Sequence, residues 1–284
     1  MKFLKLILLF AFLSCASFAQ DKKAVTFDWW QVNGASQTIV FDASYQAVLD
    51  RGTALGYTLP SPAQQIKQNQ LVVDLKAAGI WSLLDVFYVF ATDGDSDFAT
   101  LNWINPAQFQ SSKVNSPTFT TNSGFNGNGT TSYINTNYAT LSGTKVSLNS
   151  ASFGLYMTTV VTIGQDTQIA GTDDANNNLA INNTTVQRIN NSTNNLNNSV
   201  QLNNTIGYKA INRSSVSDNQ LYRDNVKFDR IANSTGLSDR SFRIGTRGAN
   251  FNNATYSMFF AGASLSETMH NNLWVYFVTY FTSL

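Results

Sequence analysis

The 284-residue chain has one cysteine, one histidine, one glutamate and four prolines. Each scarcity excludes some chemistry. A single thiol makes no intrachain disulfide and no thiolate metal cluster. A Ser–His–Asp arrangement could only use His270. His270 lies three residues past Glu267, inside an apolar helix-period stretch, with nothing to bring it to a nucleophile. Glu267 is the one glutamate, so a pair of glutamates for glycoside hydrolysis is excluded and aspartates would have to serve. Charged residues make up only 12% of the chain and the formal charge is +1. That balance offers no electrostatic footprint for nucleic acid or an anionic membrane. After the first residues no segment reaches the roughly 18 apolar residues a membrane-spanning helix needs, so no membrane insertion is expected.

What is present is apolar and uncharged-polar. Hydrophobic residues make up 43% of the chain and aromatics 13%, enough for a sizeable core. Residues 1–19 read as a signal peptide: Lys2 and Lys5, an apolar run from Leu6 to Leu13, then Ser17-Phe18-Ala19 before Gln20. Its removal changes the formal charge to −1 and takes the cysteine with it. The rival reading makes Ser14-Cys15 a lipoprotein acylation site. The expectation is export to the cell surface or beyond.

Three regions follow. Residues 20–91 form an N-terminal segment and a helical module. Asp42 is a cap for Tyr45, Val48, Leu49 and Leu55, and Gly56 a stop. Ser61-Pro62 opens a second helix with Ile66, Val73 and Ala77, ended by Gly79. Trp81–Ala91 reads as a third helix, with a buried strand at Val86–Phe90 as the alternative. Residues 92–116 read as a linker. From 117 to 284 short alternating strands separated by Asn, Gly, Ser and Thr turns predict an antiparallel β-sandwich or jelly roll. Phe153, Leu155 and Met157 alternate with Gly154 and Tyr156. Phe242 and Ile244 alternate with Arg243. Tyr256, Met258 and Phe260 alternate with Phe259 and Ala261. A C-terminal helix starts at a capping box, Ser264 to Glu267. Residues 176–204 hold 13 asparagines, either as a hydrogen-bonding surface or as turns and edge strands.

The stretch FNGNGTTSYINTNY, residues 125–138, carries a turn that launches a strand. No lysine and no helix follow it, so it is not a phosphate loop. It resembles the early strand of laminin-G-like, concanavalin A-like jelly rolls. The Gln220–Lys227 stretch resembles that family's hairpin, with Asn225 in place of the usual glycine. Phe242–Gly245 and the strand at 256–261 continue the resemblance, which covers about 117–284. The resemblance implies a jelly-roll sandwich and a lectin-like partner: a glycan or cell-surface polymer, bound without catalysis. Residues 71–119 resemble proteins of marine bacteria and tailed phages, which implies the alternative of a phage structural or attachment protein. A glycosidase using aspartates is the third alternative.

Sugar binding needs aromatic faces and short polar groups. The candidates are Trp103, Tyr133, Tyr138, Tyr208, Tyr222 and Tyr256. Asp93, Asp95 and Asp97 have the alternate spacing of a calcium loop, although Phe98 stands where glycine is expected and Ile104 where the closing carboxylate should be. Asp166, Asp173 and Asp174 are a second candidate set for calcium. No other cofactor is implied, and the chain is expected not to be an enzyme.

Overall fold

A computed structural model describes residues 39–162, 168–172, 179–182, 187–191 and 205–284. Residues 40–284 form one compact unit. In chain order its elements begin with α1 (Ala43–Leu55), α2 (Pro62–Ala77) and β1 (Leu84–Val89). Short strands follow: β2 (Ser112–Val114), β3 (Thr118–Thr120), β4 (Gly124–Asn126), β5 (Tyr133–Ala139) and β6 (Ala151–Met157). Next come β7 (Gln168–Gly171), β8 (Ala180–Asn182), β9 (Gln187–Arg188), β10 (Gly207–Arg213), β11 (Gln220–Arg223) and β12 (Val226–Phe228). The chain closes with β13 (Ser241–Ile244), β14 (Thr246–Arg247), β15 (Asn250–Phe251), β16 (Thr255–Gly262) and α3 (Glu267–Ser283).

The larger sheet runs β12-β11-β10-β6-β16-β4-β3, with β1 also paired to β16. The smaller runs β2-β5-β13-β7-β8-β9. All strand pairings are antiparallel among the described residues. One core fills the space between the sheets, built on Phe153, Leu155, Phe242, Ile244 and Phe259. A second core lies on the other face of the larger sheet, where Tyr208, Phe260 and Phe87 meet Val48, Leu75, Leu273 and Phe277 of the helices. The expected β-sandwich with a C-terminal helix is what forms.

Local chemistry sets the ends of the elements. The Asp42 side chain accepts from Ser44 N at 2.8 Å, and Gly56 closes α1 at φ 74°. Ser61 caps α2 at Gln64 N, with Pro62 as its first residue. The buried face of α2 differs from the expected one. Gln64, Gln68, Leu71, Val72 and Leu75 face inward, while Ile66 and Val73 are exposed. Gln68 is accommodated because Tyr45 Oη donates to it and its amide donates to Thr92 and Tyr280. The cap of α3 is Ser266, accepting from Met269 N, two residues later than the expected capping box.

Three further expectations are corrected. Residues 84–89 form the strand of the two alternatives, and β1 pairs with β16. The helical segment and the sandwich therefore belong to one folded body. Asp85 on β1 fixes this join. Its carboxylate accepts from Thr144 N, Lys145 N, Val146 N and Tyr138 Oη, at 2.8 to 3.2 Å. In β16 a bulge between Tyr256 and Met258 shifts the alternation. Tyr256, Phe259 and Ala261 enter the inter-sheet core, while Met258 and Phe260 face the helices. In the β11–β12 turn the left-handed residue is Asp224 at φ 54°, rather than Asn225. Asp224 is held there because its Oδ1 accepts from Tyr208 N at 2.9 Å.

The FNGNG stretch has two separate needs for glycine. A Cβ on Gly127 would lie 2.3 Å from the Asn252 carbonyl oxygen. Gly129 has φ 74° and donates to the same oxygen at 3.2 Å. Asn128 between them accepts from the amides of Thr130, Thr131 and Ser132, which launches β5.

Candidate functional site

The six aromatic candidates do not share a surface. Trp103, Tyr138 and Tyr208 are fully buried, and Tyr222 and Tyr256 are 1% and 2% exposed. Their polar atoms are used inside where partners exist. Tyr138 donates to Asp85 at 2.9 Å, and Tyr256 donates to Asn252 at 2.6 Å. Trp103 packs between Tyr45 and Phe87. Such rings are core, and four of them present no face to a ligand. Tyr208 and Tyr256 are on the larger sheet, whose two faces are both covered, so its inward and outward positions are both apolar; Tyr138 on β5 points between the sheets, and Trp103 packs in the core beneath the helices. Tyr133 is the partly exposed candidate, on the outer face of the smaller sheet. Tyr222 has one edge on a cavity.

The aspartates of the candidate calcium loop face donors of the protein. Asp93 accepts from Ser61 N at 2.9 Å. Asp95 accepts from Thr58 N at 2.6 Å and Phe98 N at 2.7 Å. Asp97 pairs with Lys113 at 2.7 Å. The loop thereby ties the α1–α2 connection to the sandwich. Among the described residues no three His, Cys, Asp or Glu side chains gather as a metal site. Asp166, Asp173 and Asp174 lie outside the described residues, as does residues 1–38 with the expected leader.

The cavity beside Tyr222 measures about 400 Å³. It lies between the β11–β12 hairpin and the start of α3. Gln220 and Tyr222 line it from β11, Lys227 from β12, and Ser264, Ser266 and Glu267 from the approach to α3. Ser214 closes it from the loop after β10. The Asp218 carboxylate holds that loop by accepting from the amides of Ser214 and Ser215. Burial raises the Asp218 pKa, but the Ser214 and Ser215 hydrogen bonds outweigh it and the net direction is down.

The chain's one glutamate and one histidine both come to this place. Lys227 Nζ reaches Glu267 at 3.0 Å and Asp229 at 3.4 Å. Two carboxylate oxygens on one ammonium are no further apart than the sum of those distances. His270, one turn into α3, is fully buried beneath Tyr222. The two rings stack with centroids 3.8 Å apart at 18°. His270 Nδ1 is 2.6 Å from Tyr208 Oη, and burial pushes its pKa down to about 3. The imidazole is therefore neutral and packs as an aromatic support. Burial raises the Tyr222 pKa, and the charges of Glu267, Asp229 and Asp218 raise it further. The site thus has the edge of a nearly buried ring, hydroxyl and amide groups that donate and accept, and one ammonium shared by two carboxylates. Sequence reasoning named Tyr222 but missed Lys227 and Asp229, which reach Glu267 only through the hairpin's fold.

No protein-family model and no curated protein sequence matches the chain. Solved structures do resemble it. A Trypanosoma rangeli sialidase in complex with 2,3-difluoro-KDN matches with TM-score 0.52 at 8% identity, over 76% of this chain and 40% of that one. A mutant of that sialidase displaying trans-sialidase activity matches with TM-score 0.50 at 10% identity, over 75% and 39%. Domain 4 of an extracellular arabinanase from Geobacillus stearothermophilus, in complex with arabinotriose, has TM-score 0.42 and 12% identity, over 68% of this chain and 98% of that one. This chain spans about two fifths of the sialidases' length. At these identities the likeness shows the fold alone. It nonetheless corrects one expectation. The chain was expected not to be an enzyme, and the structures that share its fold are of sialidases, so that expectation is given up.

Proposed function

We propose that the chain is a carbohydrate-recognition protein whose sandwich holds a saccharide in the cavity between β11, β12 and the start of α3. The observation that carries this reading is the lining: Ser214, Gln220, Ser264 and Ser266 supply groups that both donate and accept hydrogen bonds. Sugar hydroxyls need both kinds of partner. The sandwich shared with the sialidase structures supports the reading at the level of fold. So does the resemblance to laminin-G-like jelly rolls, which we keep as part of this proposal. Export of the protein belongs to the proposal too, and N-terminal sequencing of protein from the culture medium tests it; a mature chain beginning near Gln20 is expected.

The test is a glycan array read for binding, with release of reducing ends measured on each polysaccharide that binds. A neutral saccharide is expected to bind, because Lys227 is already shared by Glu267 and Asp229, and this carboxylate excess disfavours an anionic ligand. Lys227→Met is expected to weaken that binding at least tenfold. Chelator is expected to leave it unchanged, since Asp93, Asp95 and Asp97 face amides and Lys113. If release of reducing ends is seen, Glu267→Gln and Asp229→Asn decide whether this carboxylate pair performs it. Binding that ignores Lys227→Met would place the site elsewhere.

A further inference from the structure

Helix α2 is apolar on two sides. Leu71, Val72 and Leu75 pack inward, in the core shared with the larger sheet. On the opposite side Ala63, Ile66, Gln70, Val73 and Ala77 are all exposed, Ile66 at 48% and Val73 at 39%. These positions alternate three and four residues apart, the spacing of a seam between two packed helices. A helix with one apolar neighbour needs one apolar stripe, so the second stripe is a surface without its cover. Helix α3 lies beside α2 and extends that surface. Tyr276 and Thr279 of α3 line, with Ile66, a groove of about 250 Å³ between the two helices, and Val275 next to them is 46% exposed.

The charges beside the stripe say what covers it. Lys67 and Asp74 stand one heptad apart on its α3 side, where both line the groove. Neither is in an ion pair among the described residues. Lys67 donates to the Ser283 carbonyl, and Asp74 accepts from Gln70, one turn earlier, at 2.8 Å. A twofold axis crossing α2 between Gln70 and Leu71 has Lys67 about 5 Å to one side and Asp74 about 5 Å to the other. A second copy related by that axis runs antiparallel. It sets its Asp74 against Lys67 and its Lys67 against Asp74, so the face is complementary to itself. A parallel pair would set like charge against like. The small Ala63 and Ala77 at the two ends let the helices approach, while Ile66 and Val73 fill the space within. One lysine and one aspartate leave the face with no net charge to draw it to anionic lipid.

We propose that this face of α2 is the interface of a symmetric dimer, in which the α2 helices of two copies of the chain pack antiparallel. The 16 residues of α2 span about 24 Å, so the interface is smaller than that of a tight complex and the dimer dissociates on dilution. The test is sedimentation velocity of the full chain over roughly a hundredfold range of micromolar concentrations, with reductant present because the chain has one cysteine. Wild type is expected to pass from monomer to dimer across that range. Ile66→Gln with Val73→Gln, both at exposed positions, is expected to stay monomeric. Lys67→Asp and Asp74→Lys, each alone, set like charges together twice and are expected to weaken dimerisation at least tenfold. The two changes combined restore opposite charges in the antiparallel pair and are expected to restore the dimer. Asp74→Lys and the glutamine variant carry the test if Lys67→Asp, which loses the bond to Ser283, fails to fold. The proposal is overturned if wild type is monomeric throughout or forms a species larger than a dimer. It is also overturned if the glutamine variant dimerises as well as wild type, or if the folded double swap stays as weak as the single ones.

Discussion

Replacing Lys209 with methionine is predicted to stabilise the protein at pH 7, and the gain is predicted to shrink as pH rises. Lys209 lies on β10 opposite Leu155 and Arg223. Its neighbours Tyr208 and Ala210 face the helices, so its own side chain points between the sheets. It is fully buried, and its Nζ makes no hydrogen bond among the described residues. Burial lowers its pKa to about 8; Asp224 opposes the shift and Arg223 adds to it. Against an unfolded value near 10.5, the folded state loses its proton first, so the unfolded state binds more protons through this window and stability rises with pH. A difference of this size costs about 3 kcal/mol at pH 7 and about half that at pH 9.5. Buried tyrosines such as Tyr88 and Tyr208 have raised pKa values and act in the opposite direction above pH 10. Urea unfolding of wild type and Lys209→Met at pH 7 and pH 9.5 is therefore the assay. The variant should be the more stable at pH 7, with the gap narrowing by about 2 kcal/mol at the higher pH. A gap that does not change with pH, or a variant weaker than wild type at pH 7, would refute the reasoning.

Other predictions address the opposite end of the pH scale and the joins of the fold. The His270 pKa falls from 6.5 to about 3 on folding, so stability is lost as pH drops below 6.5, by about 2 kcal/mol at pH 5. His270→Phe, which keeps a ring beneath Tyr222, should remove that slope in acid unfolding curves. Asp85→Ala strands the amides of residues 144–146 and the Tyr138 hydroxyl, and should cost about 3 kcal/mol or more in urea unfolding. Gly127→Ala sets a Cβ against the Asn252 carbonyl and should cost about 2 kcal/mol by the same assay, whereas Gly56→Ala, with open space around it, is limited to the backbone cost of about 1 kcal/mol.

Where a residue's role is local, the sequence makes it legible. The Asp42 cap, the Ser61-Pro62 start, the Gly56 and Gly79 stops and the alternation in β6 and β13 all depend on neighbours a few residues away. The buried face of α2 was not legible, because Gln64 and Gln68 are inward only by virtue of Thr92 and Tyr280, far along the chain. The bulge in β16 was hidden for a similar reason: with both faces covered, apolar residues at every position leave no polar marker of the shift. The same covering turned Tyr208 and Tyr256 into core. Lys227, Asp229 and Glu267 meet only because a hairpin and a helix start are brought together, and no spacing records that.

The central claim is that the cavity beside Tyr222 holds a saccharide. Its most direct test is titration of the best glycan from the array into wild type, Lys227→Met and Glu267→Gln, whose altered side chains are at the cavity's rim. Saturable binding that weakens at least tenfold in both variants, with folding unchanged, is the predicted result. Equal binding by all three proteins, or no glycan bound by wild type, would contradict it.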